Sequence, residues 1–181
     1  MRHAHPLLLL LLATLPLTAC AGHKQRNRIL LVADSLMLPN PDSAYQLLNR
    51  HANEFTKRQS TPSPSKSQRM RYQLLLAEAM NKTDRPFTSD SVGKAITQYY
   101  DHWLHGDANL RMRAYYMLGC AYRDMGEAPA AIHYYNIATE KADTTSRDCD
   151  YATLFRVYGQ MAELYEQQNM PQDMIQALNC I

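Results

Sequence analysis

The stretch MRAYYMLGCAYRDMGEAPAAIHYYNIATEKADTT, residues 112–145, carries two apolar runs on either side of Asp124-Met125-Gly126-Glu127. In the first run Tyr115, Leu118, Gly119 and Tyr122 recur at helical spacing; in the second, Ala131, Tyr135 and Ala138 do. Bulky, small and bulky residues at i, i+4 and i+7 leave a notch in a helix surface into which a second helix can settle. The spacing predicts a helix–turn–helix closed tightly at Gly119 and Ala131. Tyr115, Leu118, Tyr122 and Tyr135 would ring those two positions. No catalytic group is needed to explain the pattern.

The pattern resembles the tetratricopeptide repeat, whose signature W-x2-L-G-x2-Y, then A-x3-F, then Pro spans about 34 residues. The chain has Y-x2-L-G-x2-Y over 115–122, A-x3-Y over 131–135, then Ala138. Tyr115 replaces Trp, Tyr135 replaces Phe, and Asp143 stands where the closing Pro would fall. The resemblance implies an all-α fold, a short right-handed superhelical solenoid of antiparallel helix pairs with about four units. It implies a generic binding scaffold more than any one activity.

The same register recurs on both sides. Tyr158, Met161, Ala162 and Tyr165 align with Tyr115, Leu118, Gly119 and Tyr122, on a helix expected over 150–168. A turn at Gln168–Pro171 leads to a last helix, 172–181. By alignment the chain ends inside the second helix of its last unit, so a partner or further repeats would cover the open end. Upstream, Tyr72, Leu75, Leu76 and Ala79 place a helix over 66–82, and Val92, Ala95, Ile96, Tyr99 and Trp103 place one over 89–104. Asp107 or Asn109 can cap the helix that follows. Residues 27–58 form a degenerate hairpin: one helix over 27–38, a Pro39-Asn40-Pro41 break, then a helix over 41–55. Residues 59–67, QSTPSPSKS, are a Ser/Pro linker. Repeats occupy 68–181. The segments Ala33–Met37 and Pro41–Leu48 resemble the opening unit of tetratricopeptide lipoproteins of the Bacteroidota.

At the N-terminus Arg2 and His3 precede an apolar run, Leu7–Leu17, which is too short for a comfortable membrane span. It ends Leu17-Thr18-Ala19-Cys20, which resembles the bacterial lipobox. The resemblance implies that residues 1–19 are a signal peptide, that Cys20 is acylated, and that 20–26 is a tether. No Asp follows Cys20 and no acidic cluster lies beside it. By resemblance this favours the periplasmic face of the outer membrane. An ordinary cleaved secretory signal is the alternative.

Charge is nearly balanced, 19 Lys+Arg against 17 Asp+Glu, which gives no basic footprint for nucleic acid. Beyond Cys20, Cys120 suits a small packing residue in mid-helix, and Cys149 and Cys180 are spaced too far apart along a hairpin to pair. His102 and His105, with Asp101 and Asp107 nearby, lack a third metal ligand, and His near a helix C-terminus has a dipole rationale of its own. His133 is expected to face solvent. No catalytic motif occurs, and no cofactor, metal or enzymatic role is assigned.

The first helices of successive units would line a groove. The central unit would contribute Arg113, Tyr116, Cys120 and Arg123, the next Arg156, Gly159 and Glu163, and the preceding one Met70, Gln73 and Ala77. Arginines there could pair with the carboxylates of an acidic or C-terminal peptide. The family's two-carboxylate clamp of Lys and Asn is missing. The leading expectation is an outer-membrane lipoprotein that binds a protein or peptide. Two alternatives stay open: the periplasmic input fragment of a signalling regulator, and an accessory subunit of an envelope assembly complex.

Overall fold

A computed structural model describes residues 22–56, 63–102 and 104–180. Cys20 and the apolar leader lie outside them. The described residues form nine helices and no strand: α1 (22–36), α2 (Pro41–Arg50), α3 (Ala52–Thr56), α4 (Lys66–Lys82), α5 (Ser91–Tyr100), α6 (Ala108–Asp124), α7 (Ala128–Lys141), α8 (Tyr151–Gln167) and α9 (Pro171–Asn179). The all-α class follows directly. None of these helices is long and apolar enough to cross a membrane. The chain divides into two compact units between Ala79 and Met80.

In the first unit α1 begins at residue 22, so 22–26 continue the helix where a tether is expected. Polar partners explain the extension. Arg26 is buried and its Nε donates to Gln68 Oε1 at 3.3 Å. Gln68 Nε2 donates to Asn27 Oδ1 at 2.7 Å and to the His23 carbonyl at 3.1 Å. Asn40 caps α2 by accepting from the Ser43 amide, with Pro41 in the first turn. The expected helix over 41–55 is two helices, broken at His51. The break lets Phe55 stack on Tyr72, centroids 4.7 Å apart and rings 8° from parallel. Phe55 thereby joins a core of Ile29, Leu30, Ala33, Met37, Ala44, Leu48, Tyr72, Leu75 and Ala79. The linker ends in a capping box: Ser65 Oγ accepts from the Gln68 amide and Gln68 Oε1 from the Ser65 amide.

In the second unit α5 stops at Tyr100, short of the expected 104. Its Asp90 does not cap the helix, because that carboxylate is committed to Lys94 and Tyr122. Asp107 Oδ1 caps α6 by accepting from the Leu110 amide at 2.8 Å. Asn109 has a different task. It accepts from the Asp150 amide at 2.9 Å and donates to the Asp148 carbonyl at 2.6 Å, which ties the start of α6 to the loop before α8. Gly126, at φ 80°, makes the turn to α7. The α6–α7 hairpin closes at Gly119, where the Tyr135 ring fills the space that a Cβ would need. Ala131, Tyr135 and Ala138 are fully buried. α5 packs on α6, α7 on α8, and α8 on α9.

Candidate functional site

The residues expected in a groove fall into three groups. Tyr116 and Cys120 are core residues, not groove residues. Tyr116 lies 5.7 Å from Tyr135 between ring centroids, and the Tyr135 hydroxyl donates to Cys120 Sγ at 3.5 Å. Burial drives the phenols of Tyr116 and Tyr135 well above their ordinary range and pushes the Cys120 thiol up to about 11. Cys120 is therefore protonated at neutral pH and no nucleophile. On the first unit Ala77 is buried, Met70 and Gln73 are half-buried, and the buried Gln73 Oε1 has no hydrogen-bond partner among the described residues.

Arg113 and Arg123 are half-buried. Arg123 uses four of its five N–H donors within the fold. Its Nε and Nη2 hold Asp124 Oδ1 at 2.9 and 2.7 Å, Nη2 also donates to Asn81 Oδ1 at 3.0 Å, and Nη1 donates to Gln160 Oε1. Asp124 Oδ2 in turn accepts from the Phe87 amide at 2.9 Å. A guanidinium with this many internal acceptors is a staple joining the end of α4, α6 and α8. A peptide carboxylate would have to displace those contacts. A cleft of about 190 Å³ lies beside it, lined by Asn81, Asp84, Arg85, Pro86, Arg123 and Asp124.

Arg156 and Glu163 are exposed on α8, and Glu163 accepts from Gln160 Nε2 at 2.8 Å. Nothing would meet a Cβ on Gly159, so this stretch of α8 is open. Phe155, also exposed, adds an aromatic face next to Arg156. Between α7, α8 and α9 lies a second cleft of about 300 Å³, with Thr139, Tyr158, Tyr165, Asp173 and Cys180 among its walls. The second cleft is mainly polar, whereas the one beside Arg123 is about evenly polar and apolar.

Two clusters escape sequence reasoning. One is the Arg123 staple, whose partners lie 42 and 37 residues away. The other is a stack of tyrosines across α6 and α7. Tyr134 lies against Tyr122 at 5.2 Å and Tyr115 at 6.5 Å, with both pairs near parallel. Lys94 sits 5.9 Å above the Tyr122 ring and Lys141 5.4 Å above that of Tyr115. Asp90 pairs with Lys94 at 2.6 Å and accepts from the Tyr122 hydroxyl at 2.8 Å; Asp101 pairs with Lys141 at 2.8 Å. These salt bridges hold both carboxylates below their ordinary range. Asp90 and Lys94 are spaced i, i+4, the one local signal that pointed here. His105 stacks on Tyr99 at 4.4 Å and His133 is exposed. No group of three His, Cys, Asp or Glu among the described residues is placed to hold a metal ion. Cys120, Cys149 and Cys180 are free thiols.

No protein-family model, curated protein or solved structure matches this chain.

Proposed function

We propose that this protein is a lipid-anchored scaffold of the bacterial envelope, built from tetratricopeptide-type helix pairs, that binds another protein. In this proposal Cys20 carries the acyl anchor, the helix pairs continue as a short right-handed solenoid of about four units, and the site is the periplasmic face of the outer membrane. The observation that carries it is the Gly119–Tyr135 contact, a glycine notch filled by an aromatic ring where the repeat signature requires one. Asp124, Asn81 and Gln160 already occupy Arg123, and Tyr116 is core. The binding surface is therefore placed on the open side of α8, at Phe155, Arg156 and Glu163. An exposed guanidinium beside an exposed aromatic ring suits a carboxylate-bearing peptide segment.

Purification of the tagged protein from detergent-solubilised native membranes tests this. A partner should co-purify in stable ratio and be lost from a Phe155→Ser, Arg156→Ala variant that keeps its helix content. Emergence of the wild-type protein alone would count against a scaffold role.

A further inference from the structure

The outward face of α1 carries an ordered pattern that packing does not explain. Lys24, Arg28, Leu31, Ser35 and Leu38 are spaced i, i+4, i+7, i+11 and i+14, which sets them along one line; Leu38 is in the turn after the helix. All five are exposed, and the leucines strongly so, at 71% for Leu31 and 67% for Leu38. Val32, 42% exposed, flanks the line. The opposite face, with Arg26, Ile29, Leu30, Ala33 and Met37, is buried in the first unit. Lys24 and Arg28 have no ion-pair partner among the described residues. The acid of α1, Asp34, is held by Arg71 at 2.7 Å. The exposed line is therefore cationic at its start and apolar beyond, with no carboxylate of its own.

We propose that this face of α1 lies on an anionic lipid surface. The inference rests on the acyl anchor at Cys20 proposed above. Only Ala21 separates that residue from the helix, so α1 begins within about 7 Å, Cα to Cα, of the anchored cysteine. A helix of 15 residues, about 22 Å long, then either stands off the bilayer or lies along it. Lying along it sinks Leu31 and Leu38 to the acyl boundary. It also places Lys24 and Arg28 at headgroup phosphates, their stems covering apolar surface and their charged ends outward. Charge complementarity selects anionic lipid as the occupant.

The test uses the full lipidated protein in vesicles of phosphatidylethanolamine with phosphatidylglycerol, with phosphatidylcholine vesicles for comparison. Trp103→Phe removes the one native tryptophan. Leu31→Trp then reports on the face, and Gln46→Trp, exposed on α2, serves as reference. Brominated acyl chains should quench the Leu31→Trp reporter several-fold more than the reference and blue-shift its emission. Lys24→Gln with Arg28→Gln should reduce that quenching in phosphatidylglycerol vesicles and leave it unchanged in phosphatidylcholine. Equal, water-like signals from both reporters on vesicle-bound protein would overturn the proposal and leave the anchor intact. A blue shift without quenching would mean that a second protein copy covers the face, and would also overturn it. Protein that fails to stay with the vesicles at all would overturn the anchor, and this proposal with it.

Discussion

A methyl group at position 119 has nowhere to go. The Tyr135 ring occupies the space where a Cβ would stand, and that ring is fully buried against Cys120 and Tyr116. Gly119→Ala should therefore destabilise the second unit by roughly 3 kcal/mol, at the upper end of overpacking costs. Gly159 is its counterpart. It sits in α8 with open space around it, so Gly159→Ala should gain up to about 1 kcal/mol from helix propensity. Urea unfolding of the two variants checks both signs, and a similar shift in both would refute the notch. Arg123 makes a different point. Its side chain looks like a ligand residue in sequence, but Asp124, Asn81 and Gln160 take up four of its five donors. A Gln at this position would leave Asp124 without its cation, so Arg123→Gln should lower stability before it lowers any binding.

The helices divide by how local their causes are. α6 and α7 were legible because period, turn residues and small-residue positions all agree over one short stretch. α4 is legible from the helical spacing of Tyr72, Leu75, Leu76 and Ala79, while its Ser65–Gln68 capping box emerges only in the structure. The break between α2 and α3 was not. Phe55 turns inward to meet Tyr72, and nothing near residue 51 in the sequence encodes that distant ring. Phe55→Ala should cost about 3–5 kcal/mol and loosen the first unit selectively, which hydrogen exchange along α1 to α4 would resolve. α5 is also shorter than its period suggests and ends at Tyr100, while at its other end Asp90 serves Lys94 and Tyr122 instead of capping. The ion pairs of Asp90 and Asp101 carry a pH signature. Both carboxylates titrate below the ordinary value of about 3.9 when folded. The stability they contribute is present above that value and is lost as pH falls through the folded pKa. The urea midpoint should be flat from about pH 8 to pH 5 and fall below about pH 4. Lys94→Met with Lys141→Met should shallow that acid limb, and an unchanged limb would mean that other carboxylates control it.

At the scale of the whole molecule, the sequence legibly yields an all-helical chain and one regular helix pair, but not a continuous arginine groove. Groove positions depend on which face of each helix is left open, and that is fixed by packing partners far along the chain. Tyr116 and Cys120 turn inward to Tyr135, while Phe155 and Arg156 on α8 remain outside. The cationic and apolar line of α1 starts where the proposed anchor ends, and the proposed protein-binding surface is on α8. Mass analysis of the N-terminal peptide from membrane-extracted protein decides whether the chain is anchored through Cys20. The proposed anchor requires a chain that begins at Cys20 and carries diacylglyceryl and acyl groups. A chain that begins at Ala21 or Gly22 without any lipid would contradict it.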